Sequence, residues 1–341
     1  MTFSRRLFIA CCASIVAGAA YAQDDFYAGK TVRMISFSAP GGGFDAYTRL
    51  MARHIGKHLP GSPNVVVENI TGASGLVALN DVAVASPQDG TAIMLATPGL
   101  VTHEVTGQPG LPVSLRELNW IGNLEKANPV QITWHSAAVK TIEDAKSNPV
   151  RVGATGVASG NAQIPWAYNY LLGTKFEVIV GYAGSGEYDM AMERGELDGR
   201  SVTSYTSYMA GLPEDVRPKI NLLIQLGTEK DPRVPENVPL LLDLVKGDPD
   251  KEALARFLTA AFASMNRPFL TGPGVPPERV AVIRRAFDDT VVDPEFLADA
   301  KSMGAEITPT SGEDLQKLID DVLSFPPEIV EKVKVMLDVK A

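Results

Sequence analysis

Short apolar runs alternate with amphipathic stretches along most of this chain, and four of the junctions between them are rich in glycine. Ser38-Ala39-Pro40-Gly41-Gly42-Gly43-Phe44-Asp45 joins the apolar run 31–37 to the amphipathic stretch 45–59. Asn69-Ile70-Thr71-Gly72-Ala73-Ser74-Gly75 joins 64–69 to 75–86. In the middle of the chain, Thr155-Gly156-Val157-Ala158-Ser159-Gly160-Asn161 joins 151–154 to 162–172, and Tyr182-Ala183-Gly184-Ser185-Gly186-Glu187 joins 177–182 to 187–194. The alternation predicts an α/β fold whose sheets are mostly parallel and flanked by helices. Each junction then falls at the carboxyl end of a strand, where open α/β sheets bind ligands. It presents unpaired backbone N–H groups and the positive end of a helix dipole, which suits an anion. Glycine lets a ligand approach the backbone closely. Two junctions come from each half of the chain, so two lobes closing on one small anion are expected.

The first two dozen residues belong to a different object. Met1-Thr2-Phe3-Ser4-Arg5-Arg6 is basic, 7–20 is apolar or small apart from Ser14, and Ala20-Tyr21-Ala22 is an A-x-A-like cleavage site. This is the order of a secretory signal peptide, 1–22. Its apolar run is shorter than the ~20 residues a membrane-spanning helix needs. Ser4-Arg5-Arg6-Leu7-Phe8 resembles a twin-arginine signal, and paired arginines serve either export route. Cleavage after Ala22 removes Cys11 and Cys12, the only cysteines, and takes the net charge from −9 to −11. Thiol catalysis and thiolate metal sites are thereby excluded from the mature chain. No later stretch approaches ~18 uninterrupted apolar residues, so a mature protein outside the cytoplasm and not inserted in the membrane is expected. The acidic balance argues against a nucleic-acid partner.

The junctions match no nucleotide or hydrolase template. Gly41-Gly42-Gly43 lacks a P-loop lysine, no GxGxxG follows a strand, and Ser74 and Ser159 both miss the G-x-S-x-G spacing. His54 and His58 stand i, i+4 without an HExxH motif, and His103 and His135 stand alone. No cofactor, metal or catalytic residue is therefore expected. Asp45 is read as the cap of the first helix, and Glu68 precedes the second junction. Asp248-Pro249 and Asp293-Pro294 read as helix starts, as does Ser311 with Asp314. Arg200, at the start of a strand read as 199–204, is a candidate for gripping a ligand carboxylate with its guanidinium, or for a surface or interlobe ion pair.

The residues then resemble a known family. Pro40-Gly41-Gly42-Gly43-Phe44-Asp45 with Arg49, Val67-Glu68-Asn69 before Gly72-Ala73, and Asp89-Gly90 are similar to motifs of the solute-binding receptors of tripartite tricarboxylate transporters, the Bug family. Gly181-Tyr182-Ala183-Gly184-Ser185-Gly186-Glu187, Arg194-Gly195-Glu196-Leu197-Asp198-Gly199 and Pro273-Gly274-Val275-Pro276-Pro277-Glu278-Arg279 fit the same pattern, and together they span about 30–312. The resemblance implies a type II periplasmic binding fold with two hinge crossings, 27–125 plus 227–341 forming lobe one and 126–226 lobe two. It implies that a small organic carboxylate is held by Ser38, Ala39, Gly41, Gly42, Gly43 and Asp45, by Thr71, Gly72, Ala73 and Ser74, and by Thr97. The facing contacts would be Thr155, Ser159, Asn161 and Tyr182. It further implies a monomer that delivers its ligand to the membrane subunits of a tripartite transporter, or presents it to a sensor kinase; a secreted hydrolase is the enzyme alternative. Many members carry Gly-Thr-x-x-His where this chain has Gly160-Asn161-Ala162-Gln163-Ile164, so the far end of the ligand is expected to be read differently here.

Overall fold

The computed structural model of the protein describes residues 26–157, 159–182 and 184–337. The expected signal peptide, with Cys11 and Cys12, lies outside the described residues. The first four strands are β1 (Thr31–Ser36), β2 (Asn64–Asn69), β3 (Ala92–Leu95) and β4 (Asn119–Asn123). After a crossing come β5 (Pro129–Trp134), β6 (Val150–Ala154), β7 (Phe176–Val180), β8 (Gly199–Arg200), β9 (Thr203–Ser204) and β10 (Ile220–Gln225). A second crossing leads to β11 (Pro268–Thr271) and β12 (Thr310–Ser311). One sheet, ordered β12-β4-β11-β3-β1-β2, thus draws on both ends of the chain, while the middle builds two smaller sheets, β10-β5-β9 and β7-β6-β8.

Parallel pairing holds where the glycine-rich junctions lie: β1 runs parallel to β2 and β3, and β6 to β7 and β8. The remaining pairs are antiparallel, β11 against β3 and β4, β12 against β4, and β5 against β9 and β10. The topology explains the mixture. β4 leaves the large sheet toward the crossing and β11 returns from it, so the two run in opposite senses. The expected single strand 199–204 is split, because Gly199–Arg200 joins β6 whereas Thr203–Ser204 joins β5. Gly199 passes so close to Ile132 that a Cβ would run into its carbonyl oxygen. The backbone can therefore switch sheets there only without a side chain.

Strand alternation buries the large sheet on both faces. Val32 and Met34 of β1, with Ile93 and Leu95 of β3, pack against Leu50, Phe287 and Phe296 on one side. Ile35, Ala92 and Met94 belong to the cluster on the other side. That second cluster continues into the middle of the chain, where Val152, Ile164, Tyr168 and Leu171 join Leu254, Phe257 and Val333. Helix starts fall where the sequence puts them. Asp248, Asp293 and Ser311 accept hydrogen bonds from the N–H groups of Lys251, Glu295 and Asp314, with Pro249 and Pro294 in the first turn. The expected helix 75–86 is instead a 3₁₀ turn, a short α-helix (Leu76–Asn80) and a π turn (Asp81–Ala85).

Candidate functional site

The first junction is held by a network centred on Asp45. Its Oδ2 accepts from Gly41 N at 2.8 Å and Arg49 Nε at 2.9 Å, and its Oδ1 from Asn69 Nδ2 at 2.7 Å. Asn69 Nδ2 also donates to Ser38 O at 2.8 Å, and Arg49 Nη2 donates to Asn69 Oδ1 at 3.1 Å. Asp45 is therefore a brace, and the expected cap position belongs to Gly42, which makes no side-chain cap bond. As the third residue of the helix Gly43–Ile55, Asp45 reaches back to the loop in the way the distal half of a capping box does. Burial alone would raise its carboxyl, but the bonds from Arg49, Asn69 and Gly41 outweigh it and hold the pKa below the usual carboxylate range. Glu68 is likewise committed, gripped by Arg33 at 2.7 Å, and Arg33 also binds Ser86 and Asp81.

The second junction is strained. Gly72, Ala73, Ser74 and Gly75 all have positive φ, at 130°, 44°, 52° and 97°. Two consecutive non-glycine residues in the left-handed region cost roughly 1–2 kcal/mol each, and such strain clusters at ligand clamps. Thr71, Ala73 and Ser74 are exposed at its tip. Thr97 stands beside it: a Cβ on Gly75 would lie 3.0 Å from Thr97 Cγ2, and Thr97 Oγ1 accepts from Gly99 N at 3.3 Å.

In the facing half, Ser159 is the cap residue of the helix Gly160–Leu172, but its hydroxyl donates to Gly156 O at 2.7 Å and bends the junction upon itself. Thr155 is exposed, and Tyr182 sets its ring edge-on to Tyr188 at 6.0 Å. Asn161 Nδ2 lies 2.7 Å from the Tyr188 hydroxyl. The two halves meet at these junctions. A Cβ on Gly156 would lie 3.8 Å from Ser74 Oγ, and a Cβ on Gly160 would touch the Phe262 ring at 3.0 Å. Thr102 Oγ1 donates across the divide to Gln163 Oε1 at 2.8 Å, with both residues buried. Ile164, at the position where the resemblance leads one to expect a histidine, packs in the core.

Arg200 does not lie open to a ligand. Its side chain is 8% exposed, Nη1 donates to Asp189 Oδ2 at 2.9 Å, and its guanidinium lies over the Tyr208 and Tyr188 rings. Arg200 does form an ion pair, but not the surface or interlobe one expected from the sequence: both partners lie in the middle segment, and Arg200 is buried there. Burial pushes the Tyr208 hydroxyl up to about 12 and raises the Asp189 carboxyl, which Arg200 only partly offsets. Two residues that sequence reasoning missed stand at the floor between the halves, Arg267 and Glu125, whose Oε2 lies 3.7 Å from Arg267 Nε. Neither sits in a motif, and only the antiparallel return of β11 brings them together. Open surface depressions beside Arg53 and Val65 and between Thr206 and Leu297 contain none of the predicted ligand contacts. No helix among the described residues is long and apolar enough to cross a membrane.

Comparison with known proteins agrees with this geometry. The model of the tripartite tricarboxylate transporter family receptor matches residues 48–335. Among solved structures, a TctC solute-binding protein from Polaromonas superposes with a TM-score of 0.63 at 22% identity, over 89% of this chain and 98% of that one. MatC from Rhodopseudomonas palustris, solved with bound malate, gives 0.66 at 18% identity over 88% and 99%. A second R. palustris protein, solved with adipate, gives 0.68 at 18% identity over 90% and 97%. The fold is thus that of the periplasmic binding proteins, two lobes of sheets flanked by helices. A comparison with curated proteins finds no match.

Proposed function

This chain belongs to the tripartite tricarboxylate transporter family of receptors, and from that premise we propose that it is a periplasmic solute-binding protein for a small organic carboxylate. The ligand lies between the junctions of the two lobes, and the loaded protein delivers it to the membrane subunits of a tripartite transporter. The observation that carries this reading is the apposition of the strained turn 72–75 with the junction 155–160, Ser74 Oγ standing 3.8 Å from the Cβ position of Gly156. The helix Gly160–Leu172 starts in the second of these junctions and Gly43–Ile55 in the first junction of the chain, and a helix start is the positive end of its dipole. Such fixed dipoles hold an anion at contact distance, whereas the acidic net charge acts from afar and is screened over about 8 Å at physiological salt. The hydroxyl of Ser159 is used inside its own junction, which favours binding over nucleophilic chemistry. Malate and adipate, bound by two structural relatives, set the size range of ligands to try first.

A thermal-shift screen over mono-, di- and tricarboxylates tests the reading. A ligand at 100 times its Kd adds about 2.7 kcal/mol of stability, a shift of several degrees for a chain of this length. A panel in which no carboxylate moves the transition would sink the proposal.

A further inference from the structure

Arg267 precedes β11, and because β11 runs antiparallel to β3, this end of it lies at the carboxyl edge of the large sheet. Ala96 N donates to Pro268 O at 2.8 Å and Leu124 N to Arg267 O at 3.1 Å, fixing the backbone there. The side chain is 11% exposed. Its guanidinium carbon lies 4.3 Å from the centre of the Phe44 ring and 4.7 Å from that of Tyr47, both on the helix that follows the first junction. Nη1 donates to Asn266 O at 2.9 Å. Two ring faces and one hydrogen bond therefore set the plane of the group. Apart from its chain neighbours and the helix's own backbone, a Cβ on Gly43 would find only Nη2 within 4 Å, at 3.9 Å. The glycine leaves a notch between the start of the helix and a guanidinium whose orientation is already fixed.

Behind the guanidinium stands Glu125, fully buried in the first crossing. Its Oε1 accepts from Ser204 Oγ at 2.8 Å and its Oε2 from Asn266 Nδ2 at 3.1 Å. Arg267 Nε lies 3.7 Å from Oε2 and has no hydrogen-bond partner among the described residues. The carboxylate compensates the buried cation without using the face turned toward Gly43, so that face stays free to meet a second anion.

We infer that Arg267 is the charged anchor for the ligand carboxylate, reached through the Gly43 notch. The inference rests on the carboxylate-receptor reading and adds a requirement to it. The end of the ligand held by Gly41, Gly42 and Gly43 carries a full negative charge, and a neutral amide there is rejected. A charge-assisted bond from a pre-oriented guanidinium is about twice as strong as a neutral one, which sets the size of the effect sought.

Calorimetric titration of the mature protein, of Arg267→Lys and of Arg267→Gln with malate, adipate, citrate, glutamate and the neutral adipamide tests this. For whichever acid the wild type binds most tightly, Arg267→Gln is expected to bind about tenfold more weakly or worse. Arg267→Lys falls between, and adipamide does not bind. Equal affinity in Arg267→Gln overturns the inference and leaves the receptor reading standing; a wild type that binds none of the acids overturns both. Because Arg267→Gln strands the buried Glu125, Gly43→Ala provides a variant with the core intact, its methyl filling open space in the notch. It is expected to lose affinity by a similar factor with an unchanged melting temperature, and unchanged affinity would also overturn the assignment.

Discussion

Asp45 is an acid placed beside a loop proposed to receive an anion, an arrangement that would defeat itself if the charge were free. It is not free, since both oxygens are occupied by Gly41, Arg49 and Asn69. The carboxylate instead ties the first junction to the end of β2, so that the loop's remaining N–H groups hold their direction without the ligand. Its pKa is lower in the folded protein than in the unfolded chain, so the stabilisation is fully present above the ordinary carboxylate pKa of about 3.9 and is lost as pH falls through the lower folded value. Asp45→Asn should therefore destabilise the protein by about 2 kcal/mol at pH 7, the range for hydrogen bonds to a charged group. Urea melts of both proteins at pH 7, 5 and 3 check it. The gap is expected to persist at pH 5 and to narrow at pH 3 and below; a gap independent of pH would mean that the charge of Asp45 does no bracing.

At the scale of elements, the turn 72–75 separates what could be read from the sequence from what could not. Its glycines marked a junction, and Ser311, Asp248 and Asp293 marked helix starts, because turns and caps depend on the few residues that build them. The consecutive positive φ values at Ala73 and Ser74 were not legible, since no local preference puts non-glycine residues there. They exist because the flanking β2 and Leu76–Asn80 are already fixed by packing. The helix Tyr205–Gly211 escaped notice for a related reason, its sequence Tyr-Thr-Ser-Tyr-Met-Ala-Gly having weak helical preference. In the site, the loops were legible from spacing, whereas Arg267 and Glu125, 142 positions apart in the chain, were not. Gly72 sits at φ 130° and ψ 149°, a region essentially reserved for glycine, and a Cβ there would meet Val77 Cγ2 at 2.9 Å. Gly72→Ala should cost about 1–3 kcal/mol and weaken carboxylate binding together with stability. Chemical denaturation alongside the calorimetric titration reads both, and an alanine variant that kept wild-type affinity would mean the turn contributes no ligand contacts.

Across the whole molecule, two lobes joined by two crossings would ordinarily be expected to melt separately. The packing argues otherwise. One apolar cluster runs from Ile35 and Met94 of the large sheet through Leu254, Phe257 and Val333 to Ile164, Tyr168 and Leu171 of the middle segment. The helices Pro249–Leu258 and Pro327–Met336 pack against Gly160–Leu172 and brace it from outside. The buried Thr102–Gln163 bond and the Glu125 carboxylate add polar ties across the same divide. Losing the middle segment alone would expose this shared core, so its unfolding is coupled to that of the rest. Unfolding enthalpy near 60 °C is about 0.7 kcal/mol per residue. A single cooperative unit of the described length then absorbs on the order of 200 kcal/mol, against roughly 70 for the middle segment by itself. Scanning calorimetry of the mature protein should give one transition whose calorimetric and van't Hoff enthalpies agree near the larger figure. Ligand should move that transition without splitting it, because an anion held as proposed between the two lobes stabilises only their joined state. A separate early transition near 70 kcal/mol would place the boundary of cooperativity at the crossings and make closure a matter of two independent bodies.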